Sequence, residues 1–521
     1  MRFMNGVKLS LLCPLGLSVL VSCGSAREAS VKMDKTVLAD KIAGGWAGKM
    51  IGVAYGAPTE FKSLAKIIED SIPWEPQRIE NAKWEDDLYV QMSMMDVMDR
   101  LGMDADAKAY HASLANARYR LWHANAQARK NYTDSIFPPL SGQPEFNIHA
   151  DDIDFQIEAD FIGMMCPGMP RLANKWSDKI GHIMNYGDGF YGGAFVAALY
   201  SAAYTCDDMY EVISQASRSL PSGSDYYKIV QDVLKFYRED PTDWKKAWHK
   251  LQDKWEYTDI CGAGIDYNID AKLNGAYIVI GLLYGEGDVF RTMDISTRCG
   301  HDSDCNPSTA LGVLGVMKGY SYLPAEYRDV LETLKDTSFI YTNYTLRKAI
   351  DRTLSNIEQN VLSHGGKVDD TSVEFKVQKP KALPLEVSFS NATFDKRLVV
   401  YKESSCVTKG DWQREGHVLY SDRQGNEIRF CFDGTGIAVC GWWVKNGGKA
   451  DVYVDGTFKR TIDCYYNYGN HEHKDAYIYH IFNLKPGEHE MRIVVKGEKK
   501  PESQGSMIGV SDAVVFRTVK K

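Results

Sequence analysis

From about Lys35 to Gln359 the apolar residues recur at helical spacing, as in Leu88, Met92, Met95 and Met98, or around Leu199 between Phe195 and Tyr204. No alternation of strands with helices interrupts them. Turn-forming clusters such as Pro221-Ser222-Gly223-Ser224 and Tyr284-Gly285-Glu286-Gly287-Asp288 separate the runs. The pattern predicts one all-helical domain over residues 35–362. Ser363-His364-Gly365-Gly366-Lys367 and Lys379-Pro380-Lys381-Ala382-Leu383-Pro384 then read as a linker over 363–384 with an extended piece inside. Beyond it the period becomes two. Ala450-Asp451-Val452-Tyr453-Val454 alternates, Asp455-Gly456 offers a tight turn, and residues 457–462 return, which predicts a hairpin. Met491, Ile493 and Val495 repeat the alternation, and short strands at this spacing predict an antiparallel β-sandwich over 385–521.

The first residues follow another logic. Arg2 and Lys8 precede an apolar run over residues 11–21 that ends at Leu20-Val21-Ser22-Cys23. This reads as a secretory signal over residues 1–22, too short for a membrane span, which needs about 20 apolar residues. Its end resembles the lipobox of bacterial lipoproteins, so the expected mature chain starts at a lipid-bearing Cys23; the alternative is an ordinary signal peptide. The expected location is therefore outside the cytoplasm, periplasmic or at the cell surface, with membrane contact only through that anchor.

Composition narrows the class. With 521 residues and 44% apolar content the chain has enough material for more than one core. A formal net charge of −8 leaves no basic stripe for a phosphate backbone, so a nucleic acid partner is not expected. Of 11 cysteines, Cys13 lies in the signal and Cys23 would carry the lipid, and the other nine are far apart without a zinc-type CxxC pair. Most of these are expected to be buried as small hydrophobes.

Candidate chemistry lies where helices begin. Trp84-Glu85-Asp86-Asp87 precedes the run from Leu88 to Leu101, and three consecutive acids exceed what capping a helix requires. In Gly300-His301-Asp302-Ser303-Asp304-Cys305-Asn306-Pro307, Asp302 and Asp304 can converge on one ion. An EF-hand loop is excluded, because its sixth position is Pro307 and its twelfth Val313. What remains is a carboxylate site for a hard cation. A third segment, Gly52-Val53-Ala54-Tyr55-Gly56-Ala57-Pro58-Thr59-Glu60-Phe61, is a Gly-rich helix stop leading to a carboxylate.

Together these segments resemble the ADP-ribosylglycohydrolase family, the dinitrogenase-reductase-activating glycohydrolase fold, over roughly residues 36–350. Gly52, Gly56, Pro58, Glu60 and Phe61 match its first motif, Asp86 and Asp87 its second, and Asp302 and Asp304 its third. The resemblance implies an all-helical domain in which Asp86, Asp87, Asp302 and Asp304 hold one or two Mg²⁺ or Mn²⁺ ions. Val53, Glu85 and Cys305 depart from the motifs, standing where the family has Asp, Thr and Thr. The two lost hydroxyls imply that one metal position is altered or absent, with Glu60, Glu85 or both shaping it and handling the water.

Two further segments carry open readings. In Asn147-Ile148-His149-Ala150-Asp151-Asp152-Ile153-Asp154-Phe155-Gln156-Ile157-Glu158-Ala159-Asp160 the acids repel one another at helical spacing. They form either a solvated face or, given Ile153, Ile157 and Phe161, a half-buried group in which Asp154 acts as general acid and Glu158 binds substrate. Gly187-Asp188-Gly189-Phe190-Tyr191-Gly192 satisfies GxGxxG, but no strand precedes it and a dinucleotide site is rejected. It is either a turn before a buried helix or, by its place in the resemblance, a loop in which Asp188 binds a hydroxyl and Tyr191 stacks on substrate. The carboxy-terminal part resembles jelly-roll accessory domains of bacterial glycosidases; Trp442, Trp443, Tyr465, Tyr466 and Tyr468 are core residues or sugar-stacking faces.

The expected function is that of an exported, metal-dependent glycoside hydrolase acting on a glycan or ribosyl linkage. The alternatives are hydrolysis of an ADP-ribosyl protein or small molecule, and a noncatalytic sugar- or nucleotide-binding protein.

Overall fold

The computed structural model describes residues 29–518 except 263, 390, 403–405 and 470. The expected signal and Cys23 lie outside the described residues.

The helical domain is built on a contact between two backbones. Helix Lys35–Gly56 places Gly44, Gly48, Gly52 and Gly56 one above another on a single face. That face lies against helix Cys305–Lys318 and the loop before it. A Cβ at Gly48 would stand 2.3 Å from the Leu311 carbonyl oxygen, one at Gly52 2.3 Å from that of Pro307, and one at Gly56 2.0 Å from that of Ser303. Only hydrogen fits at these positions, and the close approach brings the end of the first helix onto residues 303–304. Helices Gly187–Ala203, Ala271–Tyr284 and Cys305–Lys318 are buried on nearly every face, so their sequences carry no amphipathic stripe. Helices such as Pro170–Gly181, Asp225–Glu239 and Val289–Arg298 cover them with one apolar face each. Lys49 and Asp160, both fully buried, pair at 3.0 Å inside this core.

The all-helical expectation omits one small sheet. Strand Ser30–Asp34 pairs antiparallel with Ser372–Lys376, Ser30 facing Lys376 and Asp34 facing Ser372, and Lys367–Val368 joins the other edge. Val373 and Phe375 are fully buried in the helical core. Residues 367–376, read from sequence as linker, thus complete the helical domain.

The carboxy-terminal region packs two antiparallel sheets face to face. One runs, in spatial order, Thr457–Asp463, Lys449–Val454, Gly487–Val495, Glu427–Gly434 and Cys406–Lys409. The other runs His473–Ile481, Gly436–Trp443, Ile508–Thr518, Val418–Ser421 and Gln413–Glu415, with Ala392–Val399 also on Ile508–Thr518. Ile428, Phe430, Val439, Val452, Ile493 and Val515 fill the space between them. The predicted hairpin forms, with Val454 facing Thr457 across Asp455 and Gly456, both at positive φ (51° and 74°) as its turn type demands. Trp442, Trp443 and Tyr466 are buried in the sandwich, which settles their choice in favour of packing.

The sandwich sits on the loops of the helical domain. Phe389, Ala438, Val514 and Phe516 meet Ile148, Ala150 and Ile260 in a small apolar cluster. Around it the Arg129 guanidinium lies 3.6 Å over the Tyr468 ring, and Lys500 Nζ donates to Asp134 at 2.6 Å. All nine cysteines among the described residues are free thiols, most of them partly or fully buried. No helix among the described residues is long and apolar enough to cross a membrane.

Candidate active site

Two helix starts and one helix end converge on a cavity of about 410 Å³. Helix Asp86–Leu101 opens with Glu85 as its N-cap and Asp86 and Asp87 in its first turn. Asp304 caps helix Cys305–Lys318, accepting the Cys305 N–H at 2.9 Å. The turn after Gly56 carries Glu60 to the mouth of the cavity. That turn is tied to the 301–304 loop by Phe61 N–H to the His301 carbonyl (3.0 Å), His301 N–H to the Ser63 carbonyl (3.0 Å) and a Thr59–Ser303 hydroxyl pair (2.8 Å). His301, at positive φ, is braced from behind by Glu256 through its Nε2 at 3.0 Å.

The carboxylates crowd one another. Glu60, Asp302 and Asp304 offer oxygens within 4.8 Å of each other, and so do Asp87 and Asp304 with the Cys305 sulfur. Burial and then Asp302, Asp86 and Glu85 push the Glu60 carboxyl up to about 8. Burial and Asp86 push Glu85 up to about 7, and burial and Asp302 push Asp86 up to about 6. Asp87 and Asp304 are held well above the usual carboxylate range by burial and their acidic neighbours, Asp87 despite the attraction of Lys49. Asp87 Oδ1 and Asp302 Oδ1 are buried with no hydrogen-bond donor among the described residues. Orphaned oxygens and mutual repulsion are what a hard divalent cation relieves, and these residues fit one. The Cys305 thiol donates to Asp87 Oδ2 at 3.2 Å; buried among carboxylates, it is held well above its ordinary pKa and remains a thiol.

The cavity also takes in residues that the sequence reading did not single out: His123, Tyr89, Trp122 and Tyr267. They lie in segments without a motif, and only tertiary packing brings them to the carboxylates. Tyr267 OH and His123 Nε2 are 2.9 Å apart. Burial opposes a charge on His123, but Asp152, Asp154 and Asp259 together outweigh it and push the imidazole up to about 9.

Four assignments require correction. Asp154 lines the cavity, but its two oxygens accept the N–H groups of Ala124 (3.2 Å) and Asn125 (3.0 Å) and so cap the start of helix His123–Thr133. This geometry gives it the place of a helix cap, and burial pushes its carboxyl up to about 6. Glu158 is buried beneath the wall, accepting from Asn125 Nδ2 at 2.5 Å, and does not line the cavity. Asp188 accepts the Tyr226 N–H at 2.9 Å and faces a different cleft with Asp151 and Lys272. Tyr191 is fully buried; its hydroxyl donates to the Pro384 carbonyl at 2.7 Å and accepts the Glu386 N–H, anchoring the linker. The Gly187–Gly192 segment is the first part of a buried helix, not a binding loop.

Comparison with solved structures finds a likeness to an ADP-ribosylglycohydrolase-related protein complex, 15% identical, covering 62% of this chain and 98% of that one with a TM-score of 0.39. A CBM36-1 domain of a multidomain xylanase from the hindgut metagenome of Trinervitermes trinervoides is matched at 14% identity over 25% of this chain and all of its own, with a TM-score of 0.18. A family two carbohydrate esterase from Cellvibrio japonicus is matched at 12% identity over 24% of this chain and 34% of its own, with a TM-score of 0.19. No curated protein sequence matches significantly. The family model described as ADP-ribosylglycohydrolase matches residues 34–360, more than half of the chain and all of the segments that form the acidic cavity. The chain belongs to the ADP-ribosylglycohydrolase family, and its function is of the glycohydrolase type.

Proposed function

We propose that the acidic cavity hydrolyses a glycosidic bond in a carbohydrate or ribosyl substrate outside the cytoplasm, with one or two Mg²⁺ or Mn²⁺ ions held by Asp86, Asp87, Asp302 and Asp304. The observation that carries this reading is the buried carboxylate group with its two orphaned oxygens, Asp87 Oδ1 and Asp302 Oδ1. A bound ion would supply Lewis acidity and a more acidic water. Glu60, whose proton is held by burial and by the neighbouring Asp302 and Asp86 carboxylates, would give it up once a cation offsets their charge, and as a carboxylate it orients the attacking water and accepts its proton. Glu85, outside that cluster on the cavity wall, donates a proton to the leaving oxygen. Trp84 (56% exposed) and Trp122 (41% exposed) offer aromatic faces at the rim on which a sugar ring can stack. The signal-like residues 1–22 and the lipobox-like Cys23 favour an extracytoplasmic glycan, reached from a lipid-anchored protein.

The test is a screen of furanosides, polysaccharides and ADP-ribosyl substrates before and after chelation. Turnover of a glycan or furanoside that is lost on chelation and in Asp304→Ala, and restored to the wild type by Mg²⁺ or Mn²⁺, is expected. Turnover confined to ADP-ribosyl substrates replaces the glycan reading, and binding without turnover makes the domain a binding module.

A further inference from the structure

Beside the oxygen-rich cavity lies a second group of potential ligands of different chemistry. The geometry points to a site for a zinc-type transition-metal ion formed by His123, His149, Asp152 and Cys261. The four side chains come from three separate segments: the start of helix His123–Thr133, the turn at 147–152, and the loop at 259–262. His149 Nδ1 is 2.7 Å and His123 Nδ1 3.3 Å from the same oxygen, Asp152 Oδ2, and Cys261 Sγ is 3.1 Å from His149 Nδ1. One ring nitrogen has a single hydrogen or a single lone pair, so His149 Nδ1 cannot serve both the carboxylate and the thiol well. His123, His149 and Asp152 offer donor atoms within 4.8 Å of one another, and so do Asp152, Asp259 and Cys261, so that Asp152 joins the two groups. The ligands of a tetrahedral ion stand about 3.3–3.5 Å apart, and the pairs at 2.7 and 3.1 Å open by a few tenths of an ångström to admit it.

Donor type separates this site from the neighbouring one. Two imidazoles, one carboxylate and one sulfur suit zinc, whereas the cavity carboxylates suit a hard ion. The surroundings hold the ligands in place. His123 has its other nitrogen at Tyr267 OH (2.9 Å), and Asp259 accepts the N–H groups of Cys261 (2.7 Å) and Ile269 (2.9 Å), fixing the loop that carries the thiol. Tyr477 of the sandwich donates to the Cys261 carbonyl at 3.4 Å. The thiol's other contact is the Ile148 carbonyl at 3.4 Å, a partner it gives up on binding, when its proton passes to solvent. With four protein ligands the ion is structural: it fastens one wall of the cavity to the base of the sandwich. The assignment is independent of the hydrolytic reading.

The test uses the full chain, stripped of metal and titrated with Co²⁺ under excess Mg²⁺. The expected result is one equivalent of tetrahedral Co²⁺ with a thiolate-to-metal charge-transfer band that is lost in Cys261→Ser and kept in Cys305→Ser. X-ray absorption of the zinc-loaded wild type, which needs no variant to fold, is expected to find one sulfur at about 2.3 Å among nitrogen and oxygen neighbours. No bound Co²⁺, a charge-transfer band that survives Cys261→Ser, or zinc with no sulfur neighbour overturns the proposal.

Discussion

Asp154 illustrates how a residue can line a cavity without taking part in its chemistry. Each oxygen of its carboxylate accepts one backbone N–H, which is the contact of a helix cap. Asp154→Ala is expected to cost about 0.5–2 kcal/mol in chemical denaturation, while Asp154→Asn, which keeps one acceptor, retains most of the stability and the turnover. Loss of turnover in a well-folded Asp154→Asn protein would return the residue to the chemistry. The cavity carboxylates themselves were legible in sequence because they come in short runs at helix starts, where residues adjacent in the chain are also adjacent in the site. His123 and Tyr267 had no such mark: each stands alone, and its neighbours are set by packing between segments far apart in the chain. Asp188 and Tyr191 misled for the opposite reason, since a glycine-rich run that looks like a loop is here the tightly packed start of a helix.

At the scale of elements, the glycine face of helix Lys35–Gly56 is what registers the turn that carries Glu60 against the loop that carries Asp302 and Asp304. The sequence marks the helix stop at Gly56 but not the reason for Gly52, which lies inside the helix and faces the Pro307 carbonyl. Gly52→Ala must push helix Cys305–Lys318 outward. An overpacking cost of about 1–3 kcal/mol is expected in thermal or chemical unfolding, together with weaker Mg²⁺ binding by calorimetry, because the displaced loop carries Asp302 and Asp304. A change in stability alone, with unaltered affinity, would show that the loop is positioned independently of the helix. The strand Ser372–Lys376 was only partly legible: an extended piece was readable, but its partner strand lies at the opposite end of the domain sequence.

For the molecule as a whole, the crowded carboxylates set a pH dependence with a definite sign. In the unfolded chain Glu has lost its proton by pH 6.5, whereas folded Glu60 and Glu85 hold theirs up to about 8 and about 7, and His123 up to about 9. The native state therefore binds more protons than the unfolded state between pH 6.5 and 8, and the stability of metal-free protein falls as pH rises through that window. Buried His111, His473 and His480, pushed down to about 4, 4 and 3, are neutral in the native state, and the protons they take up in the unfolded chain near pH 6.5 offset part of the decline at the lower end of the window and little of it near pH 8. Thermal melts of chelated protein are expected to show the decline. Mg²⁺ at about 100 times its pH 7 Kd should add about 2.7 kcal/mol, the same concentration should add more at pH 8, where more of the ligands have lost their protons, and Asp302→Ala should not respond. A melting point that is flat or rising over this range would contradict the unrelieved repulsion.

The small sheet that closes the helical domain has an architectural consequence. Because Ser30 faces Lys376 on antiparallel strands, the backbone comes into the domain and leaves its last strand at neighbouring points, about 5 Å apart. Past Lys376 the chain stays on the helical body, with the Gln378 N–H on the Gly168 carbonyl (2.8 Å) and the Leu383 N–H on the Ser219 carbonyl (2.9 Å), before it enters the sandwich. The sandwich is therefore held by a tether bound along the helical body, and none of the helices that carry a carboxylate has to end for it to be attached.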